Sequence, residues 1–195
     1  MPSHPVDPLP RPVPCLDRRV DGLSLGDWPG RRGPLVCLTD PLGSLADLGA
    51  ALGADLAPDW RVLSVALPVD LPYQAQAAQA LWLVHTFGFD QTVLVGSGLG
   101  GTVALLMAAW YPARVAGLVL VNGGRRLSPN QRTRLTALAT QQPAWRAWLD
   151  APPACSRLER SLTCPVLRLS SRSARAVLLA TRELLHSTVQ FAACS

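Results

Sequence analysis

The segment Val93-Leu94-Val95-Gly96-Ser97-Gly98-Leu99-Gly100-Gly101-Thr102-Val103-Ala104-Leu105 constrains this chain more than any other. Residues 92–95 have the β-branched, apolar character of a strand. Residues 99–111 have the alanine and leucine content of a helix. Only a glycine-rich turn separates the two. A strand that turns directly into a helix must bend sharply, and the helix must approach the strand closely; glycines allow both. The same glycines divide the apolar stretch 93–110 into two short elements, so it does not read as a membrane span.

Around this segment the pattern alternates. Residues 20–28 suggest an antiparallel edge hairpin, and residues 35–38 a short apolar strand. Ser44 can cap a helix running to about residue 57. Residues 61–67 read as a strand and 73–87 as a helix. A strand is expected at 115–121. Ser128 and Pro129 then supply an N-cap and a first-turn proline for a helix to about residue 141. Pro143 opens a short helix holding Trp145 and Trp148. A strand at 166–169, a helix at 174–186 and a last strand at 188–192 complete the reading. Short apolar strands separated by helices imply an α/β fold: a doubly wound, mostly parallel sheet with helices on both faces. Residues 1–18, with six prolines in the first fourteen, are expected to form a flexible tail before one domain at 19–195.

The chain has 195 residues, 49% hydrophobic and 16% charged, enough to bury a core. All eighteen basic residues are arginine, so no phosphate-binding loop that requires lysine can be present. Residues 1–113 carry six Arg and ten Asp, a balance of −4. Residues 114–195 carry twelve Arg against Asp150, Glu159 and Glu183, a balance of +9. The basic half can select an acidic partner, but no arginine–aromatic interleaving or finger spacing points to nucleic acid. Cys15, Cys37, Cys155, Cys164 and Cys194 form no CxxC pair, and His4, His85 and His186 are scattered, so neither a metal nor another cofactor is expected. Free thiols and the lack of a charged-then-apolar leader suggest a cytoplasmic protein.

Gly96-Ser97-Gly98-Leu99-Gly100-Gly101, followed by Tyr111-Pro112-Ala113-Arg114-Val115 and Gly117-Leu118-Val119-Leu120-Val121-Asn122, resembles the α/β-hydrolase fold superfamily. That family's usual run is Val-Gly-His-Ser-x-Gly-Gly, then a helix ending in Tyr-Pro-x-Arg-Val. The resemblance extends from about Asp21 onward. It implies a nucleophile elbow whose central residue presents its side chain at the carboxyl edge of the sheet. With Gly96 and Gly100 as the outer glycines, Gly98 takes the nucleophile position, and Ser97 precedes it.

The rest of the family pattern is also altered. The oxyanion loop, usually His-Gly, reads Thr39-Asp40 here, and a carboxylate there opposes a developing oxyanion. No carboxylate stands at Ser170-Ser171-Arg172-Ser173 or at Asn122-Gly123-Gly124-Arg125, where the resemblance would place the triad acid. The cap, at 122–164, is short, and the C-terminus falls where the histidine loop would begin. The resemblance therefore implies a degenerate member with no catalytic residues, similar in kind to the N-myc downstream-regulated proteins. It would act as a binding or structural subunit for a protein partner or a second copy. The alternative is a divergent hydrolase or receptor for a small hydrophobic ligand, with Thr39, Asp40, Ser97, Gly98, Leu99 and Asn122 lining the pocket. An open space above Gly98 would favour the alternative; filling by Leu42, Trp145 or Trp148 would favour the first reading.

Overall fold

The structure, a computed structural model, describes residues 15–20, 23–39, 41–42, 48–57, 59–124, 127–149, 155–170 and 173–192. The described elements are β1 (Leu16–Val20), β2 (Leu23–Trp28), β3 (Arg32–Leu38), α1 (Leu48–Leu56), β4 (Trp60–Val65), α2 (Tyr73–Thr86), β5 (Thr92–Ser97), α3 (Gly98–Trp110), β6 (Val115–Val121), α4 (Pro129–Gln141), α5 (Cys155–Glu159), β7 (Val166–Leu169) and α6 (Ala174–Ala192). A 3₁₀ turn spans Pro112–Arg114, and a 3₁₀ helix spans Pro143–Trp148.

The seven strands form one sheet in the order β1-β2-β4-β3-β5-β6-β7. β1 and β2 pair antiparallel, and β2 is antiparallel to β4; the five strands from β4 to β7 in that order are parallel. This is the doubly wound, mostly parallel sheet anticipated from periodicity. Parallel strands need crossover helices, and those helices cover both faces. One apolar cluster holds Val36, Leu38, Leu63, Leu94, Leu118 and Leu120 against α2 and α3. The opposite cluster holds Leu35, Cys37, Val62, Val93, Val95 and Val119 against α1 and α6. Odd and even positions of each strand thus feed different cores. β5 is buried at all six positions. α3 is buried along its first eleven residues, which is why its sequence is apolar all round instead of striped.

Two expectations need correction. Residues 188–192 do not form a last strand: α6 continues through Ala192. The helix pattern of 174–186 simply persists, and no turn residue interrupts it. A closing helix is therefore present on this flank, packed into the α1-side cluster through Val177, Leu184 and Leu185. The boundary between residues 18 and 19 falls inside β1, because Leu16, Asp17 and Arg18 pair with Asp27, Gly26 and Leu25. Residues 1–14, and Ser44 with its proposed cap, lie outside the described residues. The cap at Ser128 is present: Gln131 N–H donates to Ser128 Oγ at 3.2 Å, and Ser128 N–H donates to Gln131 Oε1 at 3.0 Å, a reciprocal box around Pro129.

The antiparallel flank is anchored by a buried charge. Asp27 is wholly buried, and Arg61 meets it with two bonds, Nε to Oδ1 at 2.9 Å and Nη2 to Oδ2 at 2.7 Å. Arg18 Nε adds a third contact at 2.9 Å. The Arg61 guanidinium also lies 4.5 Å from the centroid of Phe87 and 5.8 Å from that of Phe89. The cluster ties β1, β2 and β4 to the end of α2. Removing one partner of a buried pair leaves the other uncompensated. Asp27→Asn should therefore lower unfolding stability by about 2 kcal/mol or more, read as a lower urea midpoint at unchanged slope.

Candidate active site

The sheet changes direction of winding between β3 and β5. From β3 the chain crosses through α1 outward to β4; from β4 it crosses back through α2 to β5 on the other side of β3. Open parallel sheets place ligands outside the carboxyl ends of the strands at such a switch. Leu38 pairs with Gly96, and Ser97 pairs with Val121. Thr39, Gly98 and Asn122 therefore leave the sheet together along this edge. Of the expected pocket residues, Thr39, Ser97, Gly98, Leu99 and Asn122 lie at or just beyond these strand ends, while Asp40 lies outside the described residues.

The elbow turns at Gly98. Its φ is +50°, whereas Ser97 keeps extended angles, φ −106° and ψ 140°. A left-handed φ immediately after a strand, opening a helix, is what a side-chain-bearing residue adopts only under strain. Ser97 is still a strand residue. By alternation it shares the side of Val93 and Val95, which face α1 and α6, and it is 1% exposed. Its side chain does not cap α3.

The neighbouring glycines are required by packing. A Cβ at Gly96 would lie 2.6 Å from Gly101 Cα and 2.8 Å from Ala104 Cβ. One at Gly100 would overlap the Leu38 carbonyl, and one at Gly123 would lie 2.5 Å from the Gly98 carbonyl oxygen. β3, the elbow and the 122–124 turn are thus in backbone-to-backbone contact. Asn122 adopts φ +50°, tolerable for its short amide side chain, and its N–H donates to the Leu169 carbonyl at 2.9 Å.

The cap packs down on this edge. Leu42, Leu99, Leu135 and Trp148 belong to one buried cluster, with Trp145 packed against it. Arg134 of α4 donates from Nη2 to the Leu42 carbonyl at 2.9 Å, fastening the turn after β3 to the cap. Trp148 is fully buried, its ring edge-on to Tyr73 at 5.0 Å between centroids, and the Tyr73 hydroxyl donates to the Trp148 carbonyl at 3.2 Å. Thr39 donates to the Val65 carbonyl at 3.3 Å and also lines a cavity of about 460 Å³ with Arg19, Ser24 and Ser64. Sequence reasoning missed these last three, and also Tyr73 and Gln76. No local motif marks them; only sheet pairing and cap docking bring them to this end of the molecule.

Other reactive groups stand apart from the elbow. His85 is exposed near the end of α2, and His186 is exposed on α6, its Nδ1 2.6 Å from the Arg182 carbonyl. Burial pushes the Cys37 thiol up to about 12, and burial likewise raises Cys155 and Cys164. None of these three cysteines is activated as a thiolate. Among the described residues no group of His, Cys, Asp and Glu could hold a metal ion, and no helix is long and apolar enough to cross a membrane.

Sheet order, elbow and cap together define an α/β-hydrolase-type protein. The model of the alpha/beta hydrolase fold family matches residues 57–174, more than half of the chain, and the chain belongs to that family. Among curated relatives it is similar to the "Putative carbamate hydrolase RutD" of Klebsiella pneumoniae (strain 342), 30% identical over 138 residues, covering 65% of this chain and 51% of the relative. The RutD protein of Escherichia coli O1:K1 / APEC is 27% identical over 143 residues, covering 67% and 54%. The chain thus spans about half the length of the curated relatives it matches. Among solved structures, a "putative epoxide hydrolase" from Pseudomonas aeruginosa has a TM-score of 0.68 at 16% identity, covering 95% of this chain and 99% of that one. The metagenomic α/β hydrolase MGS-MChE2, from lagoon sediments of Mar Chica, has a TM-score of 0.59 at 16% identity, covering 88% and 96%. These structural likenesses concern the fold.

Two outcomes follow from the geometry. Gly98→Ala should destabilise the protein by about 1–2 kcal/mol, the cost of a left-handed φ for a residue with a Cβ, seen in urea unfolding. In native protein at pH 8, Cys37 should resist iodoacetamide while exposed Cys15 is modified, because the Cys37 thiol is both protonated and inaccessible; peptide mapping by mass spectrometry checks it.

Proposed function

We propose that this chain uses the α/β-hydrolase fold for binding and performs no serine-type acyl transfer. The observation that carries the reading is the left-handed φ on Gly98: the apex of the elbow belongs to a residue with no side chain. A Ser-His-Asp device needs its oxygen at that apex, beside a base. Ser97 lies in extended backbone on the α1 and α6 side of the sheet, and the histidines at 85 and 186 are on helix surfaces. The burial of Leu42, Leu99, Leu135 and Trp148 in one apolar cluster supports the same reading. A pocket lined by Thr39, Asp40, Ser97, Gly98, Leu99 and Asn122 is part of the proposal. So is recruitment of an acidic protein partner by the arginine-rich half, for which the +9 balance of residues 114–195 is the support.

The name carried by the RutD relatives favours a second reading. In it, the same pocket hydrolyses a small carbamate-like substrate with water as the nucleophile, and glycine at the apex leaves room for that water. The two readings separate in one experiment. The purified chain is incubated with a fluorophosphonate probe and, in parallel, with p-nitrophenyl esters and methyl carbamate. The binding reading expects no covalent adduct and no turnover above buffer. Carbamate turnover without an adduct would support the second reading. A fluorophosphonate adduct on Ser97, lost in Ser97→Ala, would overturn both.

A further inference from the structure

A second cleft lies on the edge of the sheet opposite the elbow, where β3 and β4 begin. Arg32 and Trp60 pair at those strand starts. The end of α1 and the later turns of α6 complete the lining of a cavity of about 370 Å³. Pockets for small molecules begin at about 300 Å³. Five ionisable side chains line the cavity: Arg32, Asp55, Asp59, Arg182 and His186. Trp60, Leu56 and Leu185 give it an apolar wall.

Not all of these charges neutralise one another. Arg182 forms an ion pair with the Asp55 carboxylate, and its Nη2 also donates to the Asp55 carbonyl at 3.3 Å. His186 Nδ1 donates to the Arg182 carbonyl at 2.6 Å, since a carbonyl can only accept. Arg32 and Asp59 remain, and neither joins an ion pair among the described residues. Their backbones are adjacent, because Arg32 N–H donates to the Asp59 carbonyl at 2.9 Å. The Arg32 guanidinium lies 6.0 Å from the centroid of the Trp60 ring, an attraction that keeps it on the aromatic wall.

We infer that this cleft binds a free amino acid with an apolar side chain. Its carboxylate accepts from the Arg32 guanidinium, its ammonium donates to the Asp59 carboxylate, and its side chain lies on Trp60, Leu56 and Leu185. The mixture of charges selects this chemistry. An anion alone meets Asp55 and Asp59 as well as the arginines. A cation alone meets Arg32 and Arg182. A small molecule with one charge of each sign finds an opposite charge for both. Arg32 and Asp59 are exposed, so each contact is modest in strength. The cleft is remote from the elbow, and this inference stands whichever reading of the elbow holds.

The test uses the whole chain with 15N-labelled tryptophan. The chain has six tryptophans, and the Trp60 indole signal is identified by resonance assignment. L-leucine is titrated beside isovalerate, which has only the negative charge, isoamylamine, which has only the positive charge, and glycine, which has no side chain. L-leucine should shift the Trp60 signal saturably and bind more tightly than the other three. R32Q and D59N should each weaken L-leucine binding about three- to fivefold, the worth of one exposed ion pair. Each variant should also lose one preference. R32Q should bind L-leucine no better than isoamylamine, and D59N no better than isovalerate, which a merely structural role for either residue does not predict. A Trp60 signal that L-leucine leaves unmoved, or any of the three analogues binding as tightly as L-leucine to the unaltered chain, would overturn the inference. The titration of the unaltered chain decides even if a variant does not fold.

Discussion

Everything at the functional end of this molecule depends on one close approach of backbone to backbone. Gly96 lets α3 lie against β5, Gly100 lets it lie against the end of β3, and Gly101 and Gly123 let the turn after β6 close on the elbow. Each contact excludes a Cβ. Because β3, β5 and β6 all end at this junction, their register decides which residues stand side by side there. A side chain at any of these glycines would push α3 off the sheet and separate Thr39, Gly98 and Asn122.

The rest of the structure supports that junction from two directions. On one flank, the buried Asp27 carboxylate, held by Arg61 and Arg18, joins the antiparallel strands to the parallel sheet and to the end of α2. On the other, Arg134 and Trp148 draw the cap onto the turn after β3 and the start of α2. The first is a charge pair made worthwhile by bidentate geometry and aromatic cover; the second is mostly apolar burial with a few hydrogen bonds. Together they fasten the antiparallel flank and the cap to the parallel sheet.

Much of this was legible in advance. The parallel sheet followed from alternating apolar strands and helices, and the register of the elbow from the spacing of Gly96, Gly98 and Gly100. The Ser128–Pro129 helix start was readable because a cap and a first-turn proline act within four residues. The strand expected at 188–192 failed because Thr-Val-Gln-Phe-Ala has β-branched and aromatic character, while an unbroken helix immediately before it carries the backbone onward. Propensity over five residues is a weak force beside continuation of an existing helix. The tail boundary expected after residue 18 falls inside β1, since the pairing of Leu16–Arg18 with β2 is a nonlocal contact.

The amino-acid sequence by itself determined the class of fold and the glycine spacing of the elbow, because glycine spacing and apolar periodicity are local properties of the chain. Only the tertiary structure decided that Gly98, and not Ser97, carries the left-handed turn. It alone buried Asp27 between two arginines and set Trp148 against Tyr73. Those facts arise from segments 75 or fewer residues apart meeting in space, and no local pattern encodes which buried polar atom will find a partner.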